Sequence, residues 1–295
     1  MKKIVVIGAM NIDILATADP LHLHDSSIGS IQTSYGGVGR NIAENIVRLG
    51  IPVHLCSVIG DDAFGESILA HAKELGIDVS LVDVINSKRT SSYLAVSNHE
   101  DMVVGVNDMD ITSSMTRAWA DKHLPHLEQF DVVVIEPNIP QNTLAYLIES
   151  LATKSIIVDP VSAVKASRLI PSLPNISVIK CNAMELRELS KIDDVKKGMN
   201  DLLLQGINRV IVTQGKNDIC EATKDSFHVY SPPLTEIVNV TGAGDAFTAG
   251  IAAGIALNAT NEQQIELAMK MSRITLQSAT TVSDQITQEL WKENS

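Results

Sequence analysis

Short runs rich in β-branched and aliphatic residues recur along this chain: "KIVVIG", "VHLCSVIG", "DVVVIE", "KSIIVDP", "ISVIKCN" and "RVIVTQG". Such runs, apolar without regular alternation, suit strands buried on both faces of a parallel sheet. The stretches between them carry apolar residues at helical spacing instead. "NIAENIVRLG" ends on Gly50 and "GESILAHAKELGI" stops at Gly76, glycines placed as C-caps. "TLAYLIESLAT", "DVKKGMNDLLLQGI" and "NEQQIELAMKMSRITLQ" read the same way. Strand and helix alternating over nearly the whole length define a doubly wound α/β domain with a mainly parallel sheet.

Two stretches break the alternation, residues 12–35 and 88–109. Their runs are shorter and mixed in polarity, and "SSYLAVSNHEDMVVGVND" reads as a hairpin turning at Asn98 to Asp101. A small antiparallel sheet with one exposed face has this composition, and it is expected to lie over one end of the main sheet as a lid. No internal repeat, low-complexity segment or long linker interrupts the chain, so residues 1–295 read as one domain carrying that lid.

The formal charge of −12 opposes nonspecific binding to nucleic acid or to an anionic membrane. An acidic protein still binds phosphates where backbone N–H groups and a metal supply the positive field. No apolar run reaches the ~20 residues of a membrane-spanning helix. The opening "MKKIVVIGAMNIDIL" imitates a signal peptide, but "IVVIG" reads better as a first buried strand, and Asn11 and Asp13 cut the run short. Cys56, Cys181 and Cys220 are odd in number, far apart and without a CxxC pair, which suits reduced thiols. The expected location is the cytoplasm. "HLH" at His22 to His24 and "HLPH" at His123 to His126 lack partners at ligand spacing, so the histidines suggest no metal set.

Ligands of open α/β sheets bind beyond the carboxyl ends of the strands. Polar residues collect there: Asn11 and Asp13 after "IVVIG", Glu136 after "DVVVI", Asp159 after "SIIV", Asn182 and Glu185 after "SVIK", Thr213 and Gly215 after "RVIV". Any one of them can be a simple cap, but the succession along one edge points to a cleft. "VTGAGDAFTAG" puts Gly242 to Asp245 at the start of an apolar helix, where unpaired N–H groups and the helix dipole make an anion site. Asp245 is then either a helix N-cap or a group aimed at a reacting atom. "YGGVGRNIAENI" sets Gly36, Gly37 and Gly39 before a helix with Asn41 in its first turn. Asn41 is either a cap or a partner for a ligand hydroxyl. There is no GxxxxGK[ST], hence no P-loop, and "GAMNID" after the first strand lacks the GxGxxG of dinucleotide sites.

"GGVGRN" with its following helix, and "VTGAGDAFTAG", resemble the two signatures of the PfkB carbohydrate kinases, the ribokinase-like family. "IGDDAFG", "NAME" and "VTQG" fall where that family has further motifs, so the resemblance covers essentially the whole chain. It implies a three-layer α/β/α sandwich with a small β-sheet lid, and ATP-dependent phosphorylation of a sugar or nucleoside hydroxyl with Mg2+. By the same resemblance Asp245 is the base that takes the proton from the attacking hydroxyl, and Gly242, Ala243 and Gly244 supply N–H donors to the developing charge. Asn182 and Glu185 match the motif that helps hold the phosphates and magnesium, with Glu185 on the metal, and Thr213 and Gly215 match the nucleotide edge. Asn11, Asp13, Gly37, Asn41 and Glu136 match sugar-contacting positions.

The resemblance also implies a K+ site, and here the chain departs from it: Asn239 stands where many relatives carry Asp, and an amide is a weaker cation ligand than a carboxylate. Asp218 replaces a usual glycine at the nucleotide edge. "SSYLAVSN…VNDMDI", "DPVSAVKASRL" and "TTVS" resemble the pseudouridine kinases more than ribokinases or fructokinases, which implies the 5′-hydroxyl of pseudouridine as acceptor. Lys165 is then either a cleft contact or a solvated helix lysine, and Asp108 with Ser92 or Tyr93 are the candidates to read the base, each otherwise a solvated strand residue. Two other readings stay open: another PfkB kinase acting on ribose or a nucleoside, and a nucleoside-binding sensor without catalysis. An apolar lid face suggests a homodimer.

Overall fold

The computed structural model describes residues 1–22, 24–98 and 101–292. Strands β1 (Ile4–Ile7), β2 (Asn11–Ala18) and β3 (Gly29–Gly36) lead into helix α1 (Val38–Arg48). Next come β4 (Val53–Gly60), α2 (Ala63–Glu74), β5 (Asp78–Ile85), β6 (Ser92–Ser97) and β7 (Met102–Asp108). The middle of the chain supplies α3 (Arg117–Leu127), β8 (Val132–Ile135), α4 (Gln141–Ser150), β9 (Ser155–Val158) and the one-turn α5 (Ala163–Ala166). It continues through β10 (Val178–Asn182), α6 (Ala183–Ser190), α7 (Val195–Leu204), β11 (Arg209–Thr213), β12 (Ile219–Thr223) and β13 (Phe227–Tyr230). Helices α8 (Ala243–Ala256), α9 (Asn261–Leu276) and α10 (Glu289–Lys292) follow.

Nine strands make the large sheet, in the order β13-β12-β11-β10-β9-β8-β1-β4-β5. All its pairs are parallel except β11–β12 and β12–β13. Because successive side chains of a strand point to opposite faces, β1 feeds two cores at once. Ile4 and Val6 pack with Ile42 of α1, Ile68 of α2, Phe247 of α8 and Ile265 of α9. Val5 and Ile7 pack with Trp119 of α3, Leu144 of α4, Leu186 of α6 and Met199 of α7. The result is the expected α/β/α sandwich. Strand β1 lies between β4 and β8, so the strand order reverses there, the place where open sheets of this kind bind their ligands.

A separate four-stranded sheet runs β3-β2-β6-β7. The β2–β3 and β6–β7 pairs are antiparallel, but β2 and β6 pair in parallel, Ile12 opposite Ser92. The sheet is therefore mixed rather than antiparallel throughout. The reason is connectivity: β2 and β6 are joined by the α1–β4–α2–β5 excursion, and a long crossover permits parallel pairing where a tight turn cannot. The β6–β7 hairpin closes where the Asn98 N–H donates to the Asp101 carbonyl (3.1 Å) and the Asp101 N–H to Asn98 Oδ1 (2.7 Å). His99 and Glu100 of that turn lie outside the described residues. No helix among the described residues is long and apolar enough to cross a membrane.

Candidate active site

Helix α8 starts from Gly242, whose φ of 84° is left-handed, and a Cβ there would meet the Thr281 carbonyl oxygen at 1.9 Å. Only glycine makes that entry. Asp245 occupies the first turn but caps nothing: its Oδ2 accepts from Asn41 Nδ2 at 2.7 Å, and no side chain caps α8. Neither is Asn41 a cap, since α1 begins at Gly37 without side-chain capping. At Gly37 φ is 98°, and a Cβ would lie 2.5 Å from the Ala9 carbonyl oxygen, so the α1 entry is pressed against the loop after β1. Two helix N-termini thus bring Asn41 and Asp245 face to face.

Asn41 is itself held from behind. Its Oδ1 accepts from Arg40 Nη2 (2.5 Å), and Arg40, almost fully buried, also donates to the carbonyls of Gly36 (3.1 Å) and Tyr35 (2.7 Å) and pairs with Glu44. Glu44 Oε1 takes two further bonds from Arg48. Burial, aided by the nearby Asp159 carboxylate, pushes the Asp245 carboxyl up to about 7, against the Asn41 hydrogen bond and the Lys180 charge. A carboxylate poised near neutrality in a cleft is suited to accept a proton.

Lys180 was not apparent as a site residue from the sequence. It sits in β10, buried, with Nζ on Asp159 Oδ2 at 2.9 Å, and Nζ lies 3.0 Å from where a Gly244 Cβ would be. Burial alone would lower its pKa, but Asp159, Glu185 and Asp245 outweigh that and hold it above the ordinary lysine value. Thr248 of α8 donates to the same Asp159 oxygen at 2.8 Å. A buried cation, paired with Asp159, therefore stands beneath the glycine run. Its signal in the sequence was only a lysine inside an apolar strand.

Asn11, Asp13, Gly37, Asn41 and Asp245 line one cleft of about 1070 Å³, with Tyr93, Asn107, Asn138 and Lys165. Asn11 Nδ2 donates to Asp13 Oδ1 at 2.6 Å, and burial raises the Asp13 pKa. Glu136 is the exception. It is fully buried beneath the cleft floor, one carboxylate oxygen accepting from the Ala9 N–H (2.5 Å) and the other from the Asn138 N–H (2.7 Å). With each oxygen accepting from a backbone N–H, Glu136 ties the loops after β1 and β8 together, and it does not itself line the cleft. Lys165 is half-buried and reaches the cleft, donating to Asn138 Oδ1; it is no solvated lysine.

The remaining predicted residues gather one side over. Asn182 and Thr213 are register partners at the ends of β10 and β11, and Gly215 follows with φ 62° in open space. Asn182 and Glu185 form a reciprocal capping box on α6, each bond 2.9 Å. Burial raises the Glu185 pKa. Asn239 Oδ1 accepts from the Thr241 N–H at 2.9 Å, so its amide already holds the loop before α8.

In the small sheet, register decides what faces the cleft. Leu15, Gln32, Tyr93 and Asn107 lie on one face and line the cleft. Ser92 and Asp108 share the other face with Ile14, Leu94 and Val106, so two of the three candidate base-reading residues point away. Asn107 and Gln32 stand on the cleft-facing side instead.

This architecture, a doubly wound sheet with two glycine-led helices converging on one carboxylate, is that of the sugar kinases. The profile of the pfkB family carbohydrate kinases matches residues 1–288, and the chain belongs to that family: it is a phosphotransferase acting on a sugar or nucleoside hydroxyl. It is 34% identical over 257 residues to the pseudouridine kinase of Escherichia coli K12, covering 84% of this chain and 82% of that protein. A carbohydrate kinase from Agrobacterium tumefaciens superposes with a TM-score of 0.88 at 27% identity, over 99% of this chain and 96% of the other. The ribokinase of Thermotoga maritima, at 18% identity, shares the fold with a TM-score of 0.90 over 99% of both chains.

Proposed function

We propose that this protein transfers the γ-phosphoryl group of ATP to the 5′-hydroxyl of pseudouridine. The observation that carries the kinase step is the Asp245 carboxylate, presented by Asn41 at the mouth of the cleft with Lys180 beneath Gly244. Asp245 takes the proton from the hydroxyl as it attacks. The N–H groups of Gly242, Ala243 and Gly244 and the Lys180 charge stabilise the oxygens that gain charge during transfer, from fixed positions.

Asn182, Thr213 and Gly215, grouped at the ends of β10 and β11, fit the nucleotide side of the site. Among the described residues no three His, Cys, Asp or Glu side chains cluster to hold a metal unaided. Magnesium keeps several waters and binds through one or two carboxylates plus phosphate oxygens, so Glu185, with an oxygen beyond the one bonded to the Asn182 N–H, fits that role. When bound, Mg2+ neutralises phosphate charge.

Support for a nucleoside rather than a bare sugar comes from cleft size and from the polar groups that line it, Gln32, Tyr93, Asn107 and Lys165 among them. Pseudouridine has a ring N–H that uridine lacks, and the amide oxygens of Gln32 and Asn107 are acceptors on the face that covers the cleft. The similarity to a pseudouridine kinase supports the same choice. In this reading the small sheet is a lid. Its outward face, with Ile31 73% and Val106 54% exposed, is the surface for a second copy, giving a homodimer.

A coupled assay of ADP release with equal concentrations of pseudouridine, uridine and ribose tests the proposal. Highest kcat/KM for pseudouridine is expected, and lowest for ribose. Preference for uridine or ribose overturns the substrate and leaves the family intact; no release with any sugar or nucleoside would make the protein a binder.

A further inference from the structure

Among the described non-glycine residues with positive φ, Val161 alone is β-branched, at 66°, and it lines the cleft. The Ser162 N–H donates to the Pro160 carbonyl at 2.7 Å, closing a three-residue turn centred on Val161. A γ-turn with positive φ is the rarer, strained hand, and a branched Cβ makes it more so. Something must hold it. Asp159 Oδ1 accepts from the Val161 N–H at 3.0 Å, while its Oδ2 is fixed by Lys180 and Thr248.

The turn feeds directly into α5, the single helical turn that carries Lys165. Four helical residues have little stability of their own. Helix α5 runs straight on into a 3₁₀ segment, Ser167–Asn175, seated by the buried Leu169 and Leu173, so its direction is imposed at its ends. At the near end Ser162 caps it, the Lys165 N–H donating to the Ser162 side chain (3.4 Å) and carbonyl (3.1 Å). At the far end Arg168 donates to the Pro137 carbonyl at 2.8 Å.

We propose that the Val161 turn is a positioning element that fixes Lys165 across the acceptor end of the cleft, with Asp159 as its anchor. A branched residue locked at positive φ has few neighbouring conformations to wander into, whereas glycine has many. Lys165 makes the consequence measurable. Burial holds its amine below the ordinary lysine value, with Glu136 opposing and Arg168 adding to the effect. A loosened turn would return it to solvent.

The kinetic arm rests on the acceptor reading above; the second arm does not. In the full-length protein, lysines are methylated with 13C-formaldehyde, and the Lys165 signal, assigned through Lys165→Arg, is titrated by NMR. In the wild type it should titrate below the exposed lysines. Val161→Gly should bring it level with them and raise the acceptor KM about ten-fold, with kcat changing far less. Val161→Asn, a residue that tolerates the left-handed region, should keep the low titration. An unchanged Lys165 titration in Val161→Gly overturns the proposal. So does a Val161→Ala variant that matches Val161→Gly in both readouts, since lost contact rather than the turn would then be responsible. A wild type that phosphorylates no sugar or nucleoside defeats the acceptor reading, and the titration still decides the turn.

Discussion

Asp245 is poised by opposing influences, and each leaves a signature. Asp245→Asn keeps the shape and the contact with Asn41 but removes the proton acceptor, so kcat should fall roughly 10²–10⁴-fold. For the wild type, kcat/KM should climb as pH rises towards about 7 and level off above it, because only the ionised carboxylate accepts a proton. Stability should run the other way. The folded state keeps a proton that the unfolded chain gives up above 3.8, so this residue makes stability fall as pH rises from there through about 7. Thermal melts should then show Asp245→Asn more stable than wild type at pH 8, with the gap closing towards pH 4. Lys180→Met leaves Asp159 buried without its counter-charge, at about 3–5 kcal/mol by denaturant unfolding; adding Asp159→Asn should recover part of it. The surroundings of Glu136 and Lys180 were illegible in the sequence for related reasons. An acid after a strand reads the same whether it faces a cleft or, like Glu136, accepts two backbone N–H groups, and Lys180 has its partner 21 residues away in sequence.

At the scale of elements, legibility followed burial. Strands β1, β8, β9, β10 and β11 are covered on both faces, so their apolar runs are nearly unbroken. Edge strands β5 and β13 are partly exposed, and neither stood out. Helix α3 carries Pro125 inside it and a polar surface, which obscured its period. In the small sheet the segments were evident but the faces were not, because its mixed composition allows either register. The observed register makes a sharp contrast. Asn107→Ala should raise the acceptor KM by roughly ten-fold, the worth of one hydrogen bond, while Asp108→Ala, one residue on, should leave steady-state kinetics near wild type. Equal effects would mean the sheet pairs differently. "IGDDAFG" also gains a meaning: Asp62 caps α2 through the Gly65 N–H (2.8 Å) and holds the Thr90 N–H (2.8 Å), just ahead of β6. It anchors the small sheet to the large one.

For the whole molecule, the outward face of the small sheet leaves Ile31, Leu94 and Val106 exposed. If it pairs with a second copy, Val106→Lys should halve the mass in sedimentation equilibrium, whereas a wild-type monomer would end the dimer proposal. The same sheet carries a further consequence, this time for the order of events in folding. Its central pair joins Ile12 to Ser92, so β2 leaves the ribosome long before its partner and meets β3 alone. An isolated two-stranded hairpin is marginal in water, and contacts so distant along the chain form slowly. The acceptor side of the cleft should therefore be the last part of the enzyme to mature. In pulse-labelled hydrogen exchange during refolding, amides of β2 and β6 should gain protection after those of β1 and β8, and a nascent chain ending before β6 should hold its first hairpin unprotected.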